Sequence, residues 1–315
     1  MILVAGSSNL DFVVRAHHIP APGETVLGRD FKTFPGGKGA NQAVACARAG
    51  GAPTTLLTAM GADSFAAPIV LSLKEASVAL NIVRVNDQPT GTAFICVSED
   101  AENAITVAPG ANLFLLEQHL PELQDVSHLL MQLEIPLSTV IAYAKAARQQ
   151  GVTVMLNAAP IQELPAELLE WIDILVVNEG ELASLSHHSG SIAECLERIA
   201  VPTVVVTLGD RGCFARFQGT FLVQPAHAVT PVDTTAAGDT FCGSLVAALS
   251  EGASMEQALA LAGAAGALAC TRLGAQSSIP HKAEVTAFLA QQASNTSTAI
   301  DVLGTYCGLP IGTYS

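Results

Sequence analysis

Basic residues are scarce in this chain of 315 residues. Lysine and arginine total 14 against 28 aspartate and glutamate residues, which gives a net charge of −14. Nucleic-acid-binding proteins neutralise phosphates with clustered lysine and arginine, and the sequence contains no such basic patch. We therefore expect no nucleic-acid partner, and we interpret the acidity as a contribution to solubility.

No two cysteines stand in a C-x-x-C arrangement. The seven cysteines are scattered, and most have apolar neighbours. This distribution is typical of small buried hydrophobic side chains in a reducing compartment. It argues against a cysteine metal site and against a disulfide framework.

Long hydrophobic runs are also absent. The longest apolar stretch, 258–270, is too short to cross a bilayer. The N-terminal stretch 1–6 lacks the basic residues of a signal peptide and has the pattern of a buried strand. These absences predict a cytoplasmic protein that has no membrane partner.

Two common nucleotide-binding fingerprints are missing. The glycine-rich stretch 36–42, GGKGANQ, lacks the third glycine of a Rossmann fingerprint and the Ser or Thr that follows Gly-Lys in a P-loop. If the protein uses ATP, it binds ATP without a P-loop. The stretch opens a helix, where glycines allow a ligand to approach closely and Asn41 offers a donor and an acceptor to hydroxyls. A tight turn into a helix is the alternative interpretation.

Strand-like and helix-like segments alternate along most of the chain. Apolar, β-branched runs predict strands at 2–6, 54–58, 127–131, 152–156, 174–177 and 203–208. Helical patterns lie at 39–50, 64–76, 136–150, 238–250, 255–272 and 281–291. Since the strands are apolar on both faces, we predict an α/β fold with a doubly wound, mostly parallel sheet flanked by helices.

Two stretches break this alternation. Residues 12–34 and 91–107 look like β segments without intervening helices, and the second has the pattern of a hairpin. We predict a small antiparallel flap, or lid, that covers a ligand or provides a subunit interface. The predicted domain spans 1–292. The tail 293–315 begins with a polar, linker-like segment, and we expect it to be a disordered or docked appendage of unknown role.

The most informative stretch is 233–241, DTTAAGDTF, which leads into an apolar helical pattern. Its small residues Ala236, Ala237 and Gly238 let backbone N–H groups converge at a helix start, where unpaired amides and the helix dipole bind an anion. Asp239 follows beside that anion, where a general base for a hydroxyl is useful. The stretch therefore predicts phosphoryl transfer to an alcohol.

Polar residues also follow several predicted strands, at the edge where open α/β sheets bind ligands. Asn9 and Asp11 follow the first strand and can share one sugar, although an Asx turn is an alternative. The loop 207–212, TLGDRG, follows a later strand. Its glycines permit either a turn against a nucleotide or an ordinary hairpin turn.

Acidic side chains occupy the same kind of position. Glu134 ends one predicted strand, and Asn178 and Glu181 follow another. Carboxylate and amide oxygens at these places can hold Mg²⁺ directly or through water. A helix N-cap followed by acids in the first turn is the alternative interpretation of the second pair.

Taken together, these motifs resemble the ribokinase family of sugar kinases, from residue 1 to about 290. The two long motifs, at 36–43 and 233–241, occur in the family's order and at a plausible distance. The shorter matches are SNLD at 8–11, PGET at 22–25, TG at 90–91, GAN at 110–112 and MQLE at 131–134. The tail lies outside the resemblance.

The resemblance implies transfer of the γ-phosphate of ATP to the primary 5-hydroxyl of D-ribose. Asp239 would be the base, and the amides around Ala236, Ala237 and Gly238 would stabilise the transferring group. The implied sugar ligands are Asn9, Asp11, Gly37, Lys38, Asn41, Glu134 and Asp239. The implied ATP-binding residues are Asn178, Thr207, Gly209, Asp210, Gly212, Gly238 and Gly263, and Glu181 would help to order Mg²⁺, mainly through water.

Two further properties are implied by the resemblance. Members of the family use a monovalent cation, usually K⁺. Its implied ligands here, largely backbone oxygens, are Asp233, Thr235, Ala269, Arg272, Gly274 and Ser278. The family's flap matches 12–34 and 91–107, and dimers through the flap are common, so we expect a homodimer.

Some residues depart from the family pattern. Gly263 stands where relatives often place a larger side chain near the adenine, Thr235 replaces a residue that is often aliphatic, and NAAP at 157–160 replaces Asn-Pro-x-Pro. The nucleotide preference and the sugar therefore stay open. The closest alternative is a kinase for 2-deoxy-D-ribose, which differs from ribose by one hydroxyl. A nucleoside kinase and a non-catalytic sugar-binding regulator are further alternatives, and the intact base and anion-hole residues argue against the latter.

Overall fold

The computed structural model describes residues 1–100, 102–292 and 297–310. The strands within these ranges are β1 Ile2–Ala5, β2 Asn9–Arg15, β3 Arg29–Gly36, β4 Thr54–Gly61, β5 Ala79–Val85, β6 Gly91–Val97, β7 Asn103–Ala108, β8 His128–Met131, β9 Thr153–Asn157, β10 Ile174–Asn178, β11 Thr203–Thr207, β12 Gly212–Phe217 and β13 Thr220–Pro225. The α-helices are α1 Lys38–Val44, α2 Ala66–Glu75, α3 Leu137–Gln149, α4 Ala166–Glu170, α5 Glu179–Ser186, α6 Ile192–Glu197, α7 Ala237–Ser250, α8 Met255–Ala269, α9 Lys282–Gln291 and α10 Ser297–Tyr306.

The main sheet confirms the predicted fold class. Its strand order is β13-β12-β11-β10-β9-β8-β1-β4-β5. The strands from β11 to β5 are all parallel, and β12 and β13 add an antiparallel hairpin at one edge. The chain runs outward from β1 to β5 on one side and from β8 to β11 on the other. The carboxyl ends of β1 and β8 therefore flank a topological switch point, where sheets of this kind bind ligands.

Each face of the sheet carries its own apolar core. Along β1, Ile2 and Val4 belong to one core, and Leu3 and Ala5 to the other. The first core packs against α1, α2, α7, α8 and α9, and the second packs against α3 to α6 and α10. Burial on both faces explains why the central strands are apolar throughout rather than alternating.

The flap is a separate four-stranded sheet in the order β3-β2-β6-β7. The predicted segments 12–34 and 91–107 supply most of it, and β6 and β7 pair as the expected antiparallel hairpin. Strands β2 and β3 are also antiparallel, but the central pair, β2 and β6, is parallel. The sequence did not reveal this pairing, because β2 and β6 are connected through elements of the main sheet.

Several helix boundaries differ from the predicted ones. The predicted helix 39–50 is α1 followed by a π-helical turn at Ala45–Ala49, and the predicted helix 255–272 ends at Ala269. Strands β5, β12 and β13 and helices α4 and α6 were not predicted, because they are short or only half apolar. Helix α5 was predicted only as one of two interpretations of Asn178 and Glu181. Among the described residues, no helix combines the length and the apolar character needed to cross a membrane.

The described part of the tail is docked on the domain. Helix α10 buries Leu303, and Cys307 immediately after it is also buried; both belong to the second core. This is one of the two states expected for the tail. Residues 293–296 and 311–315, which include most of the predicted linker, lie outside the described residues.

Candidate active site

A partly buried polar network lies at the carboxyl ends of β1 and β8. The Ser7 hydroxyl donates to Oε2 of Glu134 at 2.5 Å, and the Lys38 backbone N–H donates to the same oxygen at 3.1 Å. Asn9 lies in β2 rather than in an Asx turn, and its Oδ1 accepts a hydrogen bond from the Asn112 side chain at 2.8 Å. The network thus joins three of the predicted sugar ligands to the switch point.

Helix α1 begins against this network. Gly37 precedes it with φ of +87°, a left-handed conformation that favours glycine. A Cβ at Gly37 would lie 2.7 Å from the backbone nitrogen of Asn9. At this position the missing side chain lets the chain approach its own backbone, and the close approach of a ligand stays a prediction. The approach of the chain to its own backbone holds the first turn of α1 against the end of β1.

The start of α7 is strained in a way that suits an anion site. Ala236 has φ of +58°, which is rare for a residue with a Cβ. The backbone N–H and the hydroxyl of Thr240 both donate to the Ala236 carbonyl at 2.8 Å and hold this conformation. The amides of Gly238 and Asp239 lie in the first turn of α7, where helix geometry leaves N–H groups for an external acceptor.

Asp239 is held by two amide side chains from α1. Nδ2 of Asn41 donates to Oδ2 of Asp239, and Nε2 of Gln42 donates to Oδ1, both at 2.9 Å. Only 8% of Asp239 is exposed. The two donors fix the carboxylate plane, and each oxygen retains a lone pair that can accept the proton of a hydroxyl.

Close helix packing creates this contact. Gly243 lies one turn after Asp239 on α7, and a Cβ there would lie 2.5 Å from the Gln42 carbonyl oxygen and 2.5 Å from Cβ of Ala45. The missing side chain lets the backbones of α7 and α1 approach. Because both partners of Asp239 stand on this part of α1, the packing sets the position of the carboxylate.

Asp11 is a buried acid that lacks a hydrogen-bond donor. Only 8% of the residue is exposed, and among the described residues no group donates to its carboxylate. Burial, with the charges of Glu134 and Asp239, raises its pKa from the ordinary 3.8 to about 7. Oδ1 of Asn41 is likewise buried without a partner in the described part of the chain. These unsatisfied acceptors suit a ligand that brings hydroxyl donors.

A cavity of about 260 Å³ opens beside Asp239. The predicted site residues that line it are Lys38, Asn178, Glu181, Thr207, Ala236, Gly238 and Asp239. Burial alone would lower the pKa of Lys38, but the negative charges of Asp239, Glu134 and Glu181 outweigh burial and raise it. Lys38 is therefore a cation in this cavity, suited to a phosphate.

Both interpretations of Asn178 and Glu181 are compatible with the structure. Oδ1 of Asn178 accepts from the Glu181 N–H, and Oε2 of Glu181 accepts from the Asn178 N–H, each at 2.8 Å. This pair is a capping box for α5. The same two residues also line the cavity, and burial raises the pKa of Glu181. No group of three or more His, Cys, Asp or Glu side chains within the described ranges is arranged to hold a metal.

The loop after β11 is compatible with both predicted interpretations, a hairpin turn and a turn against a nucleotide. Gly209–Arg211 form a single 3₁₀ turn, and Gly212 begins β12, so the loop is a hairpin connection. Thr207 reaches the cavity, whereas Gly209, Asp210 and Gly212 stand beyond its lining. Gly263 lies apart on α8, where a Cβ would be 3.8 Å from the ring of His227.

Five of the six predicted cation ligands fall into two hydrogen-bonded groups. Oδ1 of Asp233 accepts from the N–H of Thr235 at 2.9 Å and from its hydroxyl at 2.6 Å, and Oδ2 accepts from the Gly274 N–H at 2.9 Å. The Arg272 N–H donates to the Ala269 carbonyl at 3.3 Å. The sixth predicted ligand, Ser278, is buried, and its hydroxyl donates to the carbonyl of Ala275, the residue after Gly274, at 2.8 Å.

A larger cleft of about 890 Å³ separates the flap from these loops. Its flap side is lined by Asp11, Val13, Lys32, Phe34 and Ile95, among others, and its domain side by 231–235 and 273–275. The cleft leads to Asp11 and the buried network. The flap is therefore placed to cover a ligand bound there.

Four polar residues that we did not predict as site residues support the site from behind. Gln42 links Asp239 to Asn157, since its Nε2 donates to both, and Gln132 donates to its Oε1 at 2.7 Å. Asn112 supports Asn9 in the same way. All four of these residues, Gln42, Asn112, Gln132 and Asn157, lie inside stretches quoted above, and this was the available signal.

The fold and the site together define a phosphotransferase of the α/β class that acts on a small hydroxylated molecule without a P-loop. The Asp239 carboxylate and the start of α7 lie close to the acceptor atoms of Asp11 and Asn41, near the switch point of the sheet. The family model described as "pfkB family carbohydrate kinase" matches residues 1–282. The chain belongs to this family of carbohydrate kinases.

Individual relatives agree with this assignment. The chain is 39% identical to the ribokinase of Haemophilus influenzae over 300 residues, which cover 91% of this chain and 98% of the relative. A crystal structure of ribokinase from Thermotoga maritima is 37% identical, with a TM-score of 0.85, over 92% of this chain and 99% of that one. The structure of Arabidopsis thaliana ribokinase complexed with ribose and ATP is 34% identical, with the same TM-score and the same coverage.

Replacing Asp11 with Asn should stabilise the free protein in a pH-dependent way. The folded protein binds the Asp11 proton more tightly than the unfolded chain does, because the pKa of Asp11 is raised from 3.8 to about 7. Its protonation therefore contributes fully to stability below about pH 4, and this contribution is lost as the pH rises through about 7. The asparagine that replaces Asp11 is neutral at every pH of the experiment. We expect Asp11→Asn to raise the free energy of unfolding by about 2 kcal/mol more at about pH 8 than at about pH 5.

Urea unfolding of both proteins at the two pH values measures this difference. The matched control is Asp87→Asn, which changes an exposed aspartate in the turn after β5. The control should show no such pH dependence. An equal effect of Asp11→Asn at both pH values would show that Asp11 titrates normally.

Proposed function

We propose that this protein transfers the γ-phosphate of ATP to the primary 5-hydroxyl of D-ribose. The observation that carries the proposal is the Asp239 carboxylate, held by Asn41 and Gln42 at the start of α7, beside the unsatisfied acceptors of Asp11 and Asn41. The names of the Haemophilus influenzae and Thermotoga maritima relatives support this substrate, as does the Arabidopsis thaliana complex with ribose and ATP.

In this proposal the sugar satisfies the buried network. Its hydroxyls donate to Asp11 and to Oδ1 of Asn41, and the backbone around Gly37 and the Glu134 carboxylate lie along the same wall. Asp239 takes the proton of the 5-hydroxyl as the oxygen attacks phosphorus. The amides at the start of α7 and the Lys38 ammonium stabilise the charge on the transferring group.

We further propose that the nucleotide reaches Asp239 from the side of β10 and β11. Asn178 and Thr207 line the cavity on that side, and the turn with Gly209, Asp210 and Gly212 follows. The donors present fit Mg²⁺ held mainly by phosphates and water, a mode that needs only one or two protein carboxylates, and Glu181 supplies one. Mg²⁺ would neutralise the phosphate charge.

The monovalent cation is a separate proposal. Its support is the loop cluster of Asp233, Thr235 and Gly274, which lies just before the anion-binding start of α7. Backbone carbonyls of this loop and of Ala269 and Arg272 suit K⁺, which prefers oxygen ligands. A cation there would hold 233–235 in place and so order the turn at Ala236.

We also propose that two copies of the chain pair through the flap. On one face of the flap, Phe12 stacks on Phe94 with ring centroids 5.3 Å apart and on Phe31 at 6.1 Å, and it meets Phe65 of the main domain edge-on at 5.5 Å. Phe31 is 63% exposed and Phe94 is 54% exposed. Contiguous exposed aromatic rings of this kind are typical of an interface. Pairing would cover them and hold both flaps beside their clefts.

A cytoplasmic location stays a prediction. The structure contributes one supporting observation, since all seven cysteines are free thiols. Cell fractionation followed by detection of the protein would test this location, and recovery in an extracytoplasmic fraction would contradict it.

The proposed reaction is tested by initial rates of ADP formation with ATP, Mg²⁺ and D-ribose. Asp239→Asn should lower kcat by about 10²- to 10⁴-fold, because the base is lost. Ribose binding measured by calorimetry should remain detectable. The matched control, Asp87→Asn, should keep wild-type rates. Near-normal turnover by Asp239→Asn would contradict the assigned base.

The same assay with 2-deoxy-D-ribose distinguishes the two pentose substrates. A much higher kcat/KM for ribose supports our proposal and indicates that the site reads the 2-hydroxyl. A preference for the deoxy sugar would instead assign a 2-deoxyribose kinase. Failure to phosphorylate either sugar would contradict both.

Replacing Na⁺ with K⁺ at constant ionic strength should raise kcat/KM. We expect a change of about fivefold or more, because cation binding orders the turn at Ala236 that forms the anion site. Asp233→Ala should reduce this response, since the Asp233 carboxylate holds the Thr235 and Gly274 amides. Equal rates in the two salts would contradict the cation site.

Substitution of Phe94 by Asp should convert a dimer to a monomer, because a charge buried in an aromatic interface is costly. Sedimentation equilibrium measures the mass. Val302→Asp, which places the same charge on an exposed apolar position of α10, should leave the dimer intact. A wild-type protein that sediments as a monomer would contradict the proposed pairing.

A further inference from the structure

Helix α10 lies beyond the part of the chain that matches the family, which ends at residue 282. It is anchored at its end: Leu303 and Cys307 are buried, and the Ala193 N–H donates to the Cys307 carbonyl at 2.9 Å. A Cβ at Gly308 would lie 2.3 Å from Cβ of Ser191, which caps α6. These contacts fix the end of α10 on the start of α6.

The last residue of α10 reaches a different part of the domain. The Tyr306 hydroxyl donates to Oε1 of Glu179 at 2.6 Å, and the guanidinium carbon of Arg211 lies 4.4 Å from the centre of the Tyr306 ring. Nη1 of Arg211 is 3.7 Å from Oε2 of Glu179. The three side chains therefore form one cluster, held by a charge-assisted hydrogen bond, a cation–π contact and an ion pair.

This cluster joins the two segments that the proposed function assigns to the nucleotide. Glu179 directly follows Asn178 at the start of α5, and Arg211 is the last residue of the turn Gly209–Arg211. The strands before these segments, β10 and β11, are paired, but their chains separate after Asn178 and Thr207. Tyr306 bridges them beyond that point, from outside the family domain.

We propose that Tyr306 is a positioning residue for nucleotide binding. This inference rests on the proposed function, because that function assigns the two segments to ATP. Tyr306 holds Arg211 and Glu179 together and so restricts the turn Gly209–Arg211 to the conformation that receives the nucleotide. Without Tyr306, the turn keeps its hairpin connection but gains freedom that ATP binding must then remove.

The position of Tyr306 separates this role from a folding role. Leu303 and Cys307 supply the buried apolar contacts of the tail, whereas Tyr306 is 44% exposed. Truncation of its ring therefore removes little buried surface. A substitution of Tyr306 that weakens ATP binding, but changes neither the stability of the fold nor sugar binding, would therefore indicate a positioning role. Loss of core packing would lower the stability as well.

Steady-state kinetics of Tyr306→Ala, with ATP and D-ribose varied in turn, test the proposal. We expect KM for ATP to rise by about three- to tenfold, while kcat and KM for ribose change by less than about twofold. Tyr306→Phe keeps the ring under Arg211 and should show a smaller rise. Val302→Ala, at an exposed position on the same helix, is the matched control and should behave as wild type.

ADP binding by calorimetry provides a readout that needs no turnover, and the melting temperature reports folding. Weaker ADP binding by Tyr306→Ala at an unchanged melting temperature supports the proposal, even if the wild type fails to phosphorylate ribose. Unchanged ADP affinity and unchanged KM for ATP would overturn it. A parallel rise of both KM values, with a lower melting temperature and no ATP-specific effect of Tyr306→Phe, would also overturn it.

Discussion

The close packing of α7 on α1 is the contact on which the rest of the site depends. Asp239 and Asn41 are 198 positions apart in the chain, so only helix packing can bring them together. Gly243 makes the approach possible, because any Cβ there would collide with the Gln42 carbonyl. A side chain at this position would push α7 outward and lengthen both hydrogen bonds to Asp239. Asp239 therefore stands on a rigid element and is held by another, and such elements position a functional group more precisely than loops do.

The second constraint is electrostatic. Burial and the charges of Glu134 and Asp239 raise the pKa of Asp11. The charges of Asp239, Glu134 and Glu181 outweigh the burial of Lys38 and raise its pKa, so that Lys38 is the cation of the site. Burial of Asp11 without a donor makes its ionisation unfavourable in the free protein. Such an arrangement lowers the stability of the fold, and function is the usual reason for keeping it. A sugar whose hydroxyls donate to Asp11 and Asn41 would satisfy groups that the protein leaves unsatisfied.

The sequence predicted those parts of the fold that depend on local pattern. The central strands are apolar on both faces, and this was enough to predict a parallel sheet covered by helices. Strand β5 was missed because its residues are half-exposed, and the parallel pairing of β2 with β6 depends on contacts between distant segments. The motifs placed Asp239 and Asn41 on two helix starts, but the role of Gln42 as a second donor to Asp239 became visible only in the packed structure.

The open cleft and the polar side chains at its inner end depend on each other, because water in the cleft hydrates those side chains. With the flap away from the loops, water in the cleft of about 890 Å³ can solvate Asp11 and its neighbours. Closure of the flap would remove that water and lower the local dielectric, which increases the cost of each unpaired charge. On the proposed function, a bound sugar offsets this cost by donating to Asp11 and Asn41. Closure would then be favourable with the sugar present and unfavourable without it, so that the γ-phosphate meets a dry site only when an acceptor hydroxyl is in place.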